Sequence, residues 1–197
     1  DYIINAVHSG EGLKETIEVD PGYGKYHWDG HRKCAVVLSP SESNKINKIC
    51  PKCGRPMTIG VENRVEELAD RPIGFVKDNA KPFKKYIPMS DLISGVIGKG
   101  VSTKSVWTEY NKVVSKLGSE YDILRKVPRI ELDKYLDKPL VDVIIKNRNQ
   151  EIKVIPGYDG VYGIPILSKN QKMPELPKFG PIKNKQVGLQ EFFGWVF

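Results

Sequence analysis

His31-Arg-Lys-Cys34 is followed, after fifteen intervening residues, by Cys50-Pro-Lys-Cys53-Gly54. No other feature of the chain constrains its folding as tightly. Two ligand pairs, each with two residues between, form the knuckle arrangement of a tetrahedral zinc site. The short spacing lets both side chains of a pair reach one ion, and the glycine after the last cysteine permits the tight turn. Zinc would draw the thiols to thiolates, and four protein ligands leave no open position, so the expected role is structural. The alternative is three free or buried thiols beside a surface histidine, set against the rarity of CPxCG by chance. His27, four residues before His31, competes for the fourth ligand position. The cysteines number three, an odd count, and a chain of this length is not expected to rest on a disulfide framework. Clustered cysteines in a cytosolic chain more often bind metal.

A length of 197 residues allows one large domain or two small ones, and 40% apolar content suffices for a core. The chain contains no run of about 18 apolar residues, so no membrane span is expected. The opening DYIINAVHSG has neither the basic start nor the apolar block of a signal peptide. Position 1 is not methionine, so the chain is expected to be a processed or excised piece of something longer. A formal net charge of +7 points weakly to an acidic partner such as nucleic acid. Its distribution says more: residues 77–116 hold eight lysines against Asp78, Asp91 and Glu109.

Along the chain, residues 1–19 read as a short amphipathic helix, a break at Gly10 and Gly12, and a strand around TIEV. One helix and one strand make no core, so this segment is expected to be the end of a preceding domain. A strand AVVL precedes SPSE, where Ser39 is a natural N-cap, Pro40 suits the first helical position and Glu42 completes a capping box. VENRVEELAD has helical spacing with Val61, Val65 and Leu68 on one face, ended by Pro72 and Gly74. Three helices are then expected. Ser90 caps the first, with Leu92, Ile93, Val96 and Ile97 inward. Ser102 or Thr103 starts the second, which carries Val106, Trp107, Tyr110, Val113, Val114 and Leu117 and closes at Gly118. Ser119 opens the third. IELDKYLDKPLVDVIIKNR predicts two more, with Pro139 beginning the second. EIKVIPGYDGVYGIPI switches period, two short β-rich runs flanking PGYDG as a hairpin or rigid loop. Residues 168–185, with three prolines and five lysines, read as an extended linker. The predicted class is α+β: a small zinc-binding knuckle domain, then a mainly helical domain and an extended C-terminal tail.

Two further constellations carry chemistry. Lysines 81, 84, 85, 99, 104, 112 and 116 could neutralise phosphates, and Gly98-Lys-Gly100 would bring backbone N–H groups close to them. The alternative is a solvated helical face, with Trp107 and Tyr110 in the core rather than stacking on bases. A helix-hairpin-helix from residue 123 onward would grip phosphates, but the usual glycine-hydrophobic-glycine turn is missing. In PGYDGVYG, proline and glycines fix a backbone that could present Tyr158, Asp159 and Tyr162 to a ligand, or simply make a structural turn. No Ser/His/Asp order, Walker motif or second metal-ligand cluster stands out, so an active site confined to these residues is not expected.

Taken together, GKYHWDGHRKC, CPKCGRPMTIGVENRVEELADRP and IPGYDGVYG resemble the C-terminal part of endonuclease Q. This archaeal DNA-repair nuclease family has an N-terminal PHP (polymerase and histidinol phosphatase) domain. The resemblance runs from residue 1 to about 164. It implies a nuclease that nicks DNA on the 5′ side of uracil, hypoxanthine, xanthine or an abasic site. Its catalytic divalent metals would sit in the PHP domain, whose His- and Asp-rich motifs are absent here. It also implies a division into residues 1–20 (end of the catalytic domain), 21–76 (zinc-binding) and 77–167 (helical, DNA-binding), and an archaeal, cytoplasmic, nucleoid-associated setting. His31, Cys34, Cys50 and Cys53 match the family's zinc module. Lys84, Lys85, Lys99, Lys104, Tyr158, Asp159 and Tyr162 are the expected DNA contacts. Other classes remain open: a non-catalytic zinc module binding nucleic acid by itself, or a protein-interaction scaffold whose lysines serve solubility.

The last residues, QVGLQEFFGWVF, place Gln186, Leu189, Phe192 and Phe193 in the pattern Q-x-x-aliphatic-x-x-aromatic-aromatic. This resembles the PIP box that binds sliding clamps of the proliferating cell nuclear antigen (PCNA) type. One 3₁₀ turn would put the three apolar groups on one face as a plug for an apolar pocket, with Gln186 capping its edge and Trp195 and Phe197 extending along the clamp. The alternative is a final core strand. Residues 186–197 are therefore expected to tether the protein to a clamp after the 168–185 linker.

Overall fold

The computed structural model describes residues 1–167; the expected linker and the clamp-binding residues Gln186, Leu189, Phe192 and Phe193 lie outside the described residues. The fold is α+β, with helices dominating and strands in two-stranded pairs. Helix α1 (Tyr2–Ser9) ends where Gly10 takes a left-handed φ of 73°. Strand β1 (Thr16–Glu18) does not stand alone: it pairs in parallel with β4 (Phe83–Lys85), far along the chain. Sequence alone gave no sign of β4, because FKK has no alternation and lies in a lysine run.

Strand β2 (Asp29–His31) runs antiparallel to β3 (Val36–Leu38), joined by a 3₁₀ turn over Arg32–Cys34. Helix α2 (Pro40–Lys45) begins with the predicted capping box, the Glu42 carboxylate accepting from the Ser39 N–H at 2.9 Å. Helix α3 (Val61–Leu68) stops four residues short of Pro72, and its apolar stripe faces out. Val61, Val65 and Leu68 are exposed while Asn63 is buried. Asn63 packs inward because Asp29 is buried there, its carboxylate accepting from Asn63 Nδ2 at 2.6 Å, from the Gly60 N–H at 2.7 Å and from Ser43 Oγ. A buried carboxylate without such donors would be very unfavourable, so the polar face wins over the apolar one. Gly60 allows this close approach; a Cβ there would fall 2.3 Å from the His27 carbonyl oxygen.

The larger core lies in the helices α4 (Met89–Ile97), α5 (Lys104–Leu117), α6 (Glu120–Arg125), α7 (Arg129–Tyr135) and α8 (Lys138–Arg148). Met89, Leu92, Ile93, Val106, Val113, Ile123, Leu132, Val141 and Ile144 are essentially inaccessible there. Helix α4 starts one residue before the expected Ser90 cap. Pro88 is its N-cap, with an extended backbone and a carbonyl that accepts from the Asp91 and Leu92 N–H groups. Thr103, Gly118, Ser119 and Pro139 act where the sequence suggests. Trp107 is an exception: it stays 46% exposed, tilted against Tyr110 at 5.0 Å. The chain then forms the short antiparallel pair β5 (Val154–Ile155) and β6 (Ile164–Pro165) around PGYDGVYG. No helix among the described residues is long and apolar enough to cross a membrane.

Candidate metal centre and nucleic-acid face

The knuckle is assembled by two turns facing each other. β2 carries His31, and the 3₁₀ turn delivers Cys34 before Ala35 reverses the chain at φ 49°. On the other side the Gly54 N–H donates to the Cys50 carbonyl at 2.8 Å, and Gly54 itself sits at φ +70°, where a side chain would be strained. One ligand atom from each of His31, Cys34, Cys50 and Cys53 falls within 4.8 Å of the others. His31 Nδ1 is 3.3 Å from Cys53 Sγ. Tetrahedral bonds of about 2.3 Å put ligands about 3.8 Å apart, so the group could hold a metal ion. His27 is not in this group; its Nε2 lies 3.9 Å from a Glu62 carboxylate oxygen.

Electrostatics within the group are those of thiols crowded together. Desolvation, then the neighbouring Cys53 and Cys50, push the Cys34 thiol up to about 11. The backbone N–H of Arg55 holds Cys53 below its ordinary value, against some desolvation. A cation at the centre would remove this conflict by binding thiolates. The packing gives a second reason to expect one. The apolar cluster here is only Val36, Leu38, Cys50 and Met57, with Cys34 and Ile46 against it. So small a core seldom stabilises a fold unaided.

The PGYDGVYG segment is zipped onto the knuckle's N-terminal side. Gly157 N–H donates to the Gly22 carbonyl at 2.9 Å, Trp28 N–H to the Gly157 carbonyl at 3.0 Å, and Gly160 N–H to the Lys25 carbonyl at 2.9 Å. Asp159 points at the knuckle, its carboxylate accepting from Thr58 Oγ1 at 2.6 Å and from the Arg32 N–H at 2.5 Å. Burial raises its pKa, but these two bonds and the nearby charges of His31 and Arg32 hold it below the usual carboxylate range. Tyr158 lies against Gly30, where a Cβ would come within 2.4 Å of the tyrosine ring. Of the three candidates in this motif, Tyr162 is the one turned outward, 62% exposed.

The lysines scatter. Lys84 faces Glu15 at 3.8 Å and Lys85 faces Asp20 at 3.2 Å, both beside the β1–β4 pair. Lys112 pairs with Glu109 at 3.0 Å. Lys99 and Lys104 are exposed, flanking the α4–α5 connection. The expected phosphate cradle at Gly98-Lys-Gly100 is corrected by the hydrogen bonds: the Gly98 and Lys99 N–H groups both donate to the Ser94 carbonyl, closing α4. Left-handed Gly98 makes that closure possible, so these donors are not free for an anion. Sequence reasoning did not single out Lys25, Tyr26, Arg32 and Thr58, which the structure gathers around the PGYDGVYG loop, although the interleaved aromatics and cations of GKYHWDGHRK were a usable signal for the first three.

Residues 88–151 match the family described as the MJ0043 C-terminal domain. An uncharacterised protein, MJ0043 of Methanocaldococcus jannaschii, is 35% identical over 182 residues, covering 88% of this chain and 23% of that protein. Two solved structures are similar at 27% identity. The lesion-specific endonuclease Q of Pyrococcus furiosus has a TM-score of 0.67 and covers 78% of this chain and 38% of its own. An endonuclease Q in complex with a 27-mer duplex substrate, with an abasic lesion at the active site, has a TM-score of 0.72 and covers 85% of this chain and 42% of its own. The chain thus spans about a quarter of the curated relative and about two fifths of the solved enzymes. Over the matched residues the chain is similar, in fold and at 27% sequence identity, to part of endonuclease Q.

Proposed function

We propose that this chain is the DNA-engaging region of a DNA-repair endonuclease that recognises deaminated bases (uracil, hypoxanthine, xanthine) or abasic sites. Incision 5′ of the lesion would be carried out by a PHP domain elsewhere in the protein. The observation that carries this reading is the likeness, over 85% of the chain, to an endonuclease Q bound to lesion-containing duplex. A deaminated base pairs poorly, so extruding it costs less than the few kcal/mol needed for a normal base. Residues 21–76 would form the zinc-binding part and 77–167 the helical part that closes on DNA.

Zinc suits the knuckle better than harder cations because three thiolates and an imidazole are soft ligands. With all four positions filled by protein, the ion would brace the turns that present β2 and leave hydrolysis to another site. Lys84, Lys85, Lys99 and Lys104 would neutralise backbone phosphates, and Tyr162 would face the DNA. Tyr158 and Asp159 would act one step behind, fixing the loop. Gln186, Leu189, Phe192 and Phe193 would engage a sliding clamp, raising the local concentration of the enzyme at DNA without adding lesion contacts.

The test is titration of labelled duplex DNA with this chain at stepped salt. Affinity falling steeply with salt, by a slope of about 0.9 per phosphate contacted, supports the reading. No binding at low salt would remove it and favour a protein-interaction scaffold.

A further inference from the structure

Between the knuckle and the β5–β6 loop lies a surface that none of the lysines above supplies. Lys25 Nζ sits 5.7 Å from the centre of the Tyr26 ring and 5.6 Å from that of Tyr162, so one ammonium group is shared by two aromatic faces. Both rings are open to solvent, Tyr26 at 46% and Tyr162 at 62%. A Cβ built on Gly160 would lie 3.6 Å from Arg32 Nη1 and 3.7 Å from the Tyr26 hydroxyl, so the guanidinium and the phenol converge above that glycine. Gly160 has a φ of +84°, and the bond from its N–H to the Lys25 carbonyl ties the loop to the strand of chain that carries Tyr26. The Gly163 N–H makes a second tie, to the Tyr23 carbonyl at 3.1 Å. Two exposed rings and two cations are therefore held together by backbone, and none of the four side chains is needed for the apolar cores.

We propose that Tyr26 and Tyr162, with Lys25 between them and Arg32 beside them, form a stacking platform for an unpaired stretch of DNA. The chemistry selects a single strand: in a duplex the base faces are covered by their neighbours, whereas an unstacked base offers a π-face to an aromatic ring and its phosphates to nearby cations. Paired bases would present only edges, which tyrosine rings read poorly. This inference rests on the DNA-binding reading and adds the strand form and the residues that hold it.

The test is fluorescence anisotropy of the full 197-residue chain with a labelled single strand of about 15 nucleotides. Tyr26→Ala and Tyr162→Ala are each expected to weaken binding about ten-fold. Lys25→Gln and Arg32→Gln should lower the salt slope by about 0.7 each. Tyr135→Ala, an exposed aromatic on α7, is the control and should bind like the unsubstituted chain. Melting temperatures of all variants should stay unchanged, separating contact from folding. If the unsubstituted chain binds duplex and single strand while both tyrosine variants match it, the platform is refuted and the DNA-binding reading survives. If it binds no DNA, both fall together.

Discussion

Asn147 is buried in α8 and uses its amide as a strand would: Oδ1 accepts from the Ile87 N–H at 3.0 Å and Nδ2 donates to the Ile87 carbonyl at 2.9 Å. Replacing it with leucine keeps the branched shape but leaves both backbone groups buried without partners. Asn147→Leu is therefore expected to cost about 3 kcal/mol, read from the denaturant midpoint. Asp159 does comparable work at the surface of the knuckle. Asp159→Ala removes its bonds to Thr58 and Arg32, and a loss of about 2 kcal/mol in equilibrium unfolding is expected. Tyr162→Ala, three residues on, should leave stability within about 0.5 kcal/mol. Sequence placed all three members of PGYDGVYG in one functional group, and at this scale it could not separate them. Which side chain faces solvent depends on the partner segment at residues 22–32, and no local pattern encodes that pairing.

At the scale of elements, helices were legible wherever their ends carried chemistry. Ser39 with Glu42, Thr103 with Gly118, and Ser119 each mark a terminus that the structure keeps. Packing direction was less legible. The stripe Val61, Val65 and Leu68 has the spacing of a buried face, yet the buried Asp29 captures the opposite side of α3 through Asn63. Val65→Gln is accordingly expected to change stability by no more than about 0.5 kcal/mol, whereas Asn63→Leu should lower it by about 2 kcal/mol by removing one of the three donors to the buried Asp29 carboxylate. Thermal melts of the two variants distinguish these outcomes. Helix α1 makes a parallel case, since Tyr2, Ile3, Ile4 and Val7 are all exposed and none of its residues is buried. A helix of eight residues that buries none of them among the described residues is marginal in water. In this chain its amides should exchange with solvent far faster than those of α4 and α8, as hydrogen exchange would show.

Among the described residues, long-range ties join residues 15–32, which lead into the knuckle, to the helical part and the β5–β6 loop. β1 pairs with β4, Tyr23 donates to Asp91 at 2.6 Å, Arg125 bonds Glu15, and the β5–β6 loop docks on residues 22–32. Loss of the metal should therefore reach beyond the knuckle. Zinc is expected at one ion per chain, and chelation should lower the melting temperature. Protons compete with metal for thiolates, so release should also follow acidification. Sequence picked out the four residues that the structure brings together because their spacing is local, but it gave no hint of the β1–β4 crossover, which joins segments 67 positions apart in register. The activity proposed for the complete protein is lesion-directed incision of DNA. Its most direct measurement is incision of duplexes carrying uracil, hypoxanthine or an abasic site by the full-length gene product, with magnesium, manganese or zinc supplied. Cleavage of at least one of them on the 5′ side of the lesion, with the undamaged duplex left intact, is the expected result. Cleavage of none, or equal cleavage of damaged and undamaged strands, would contradict it.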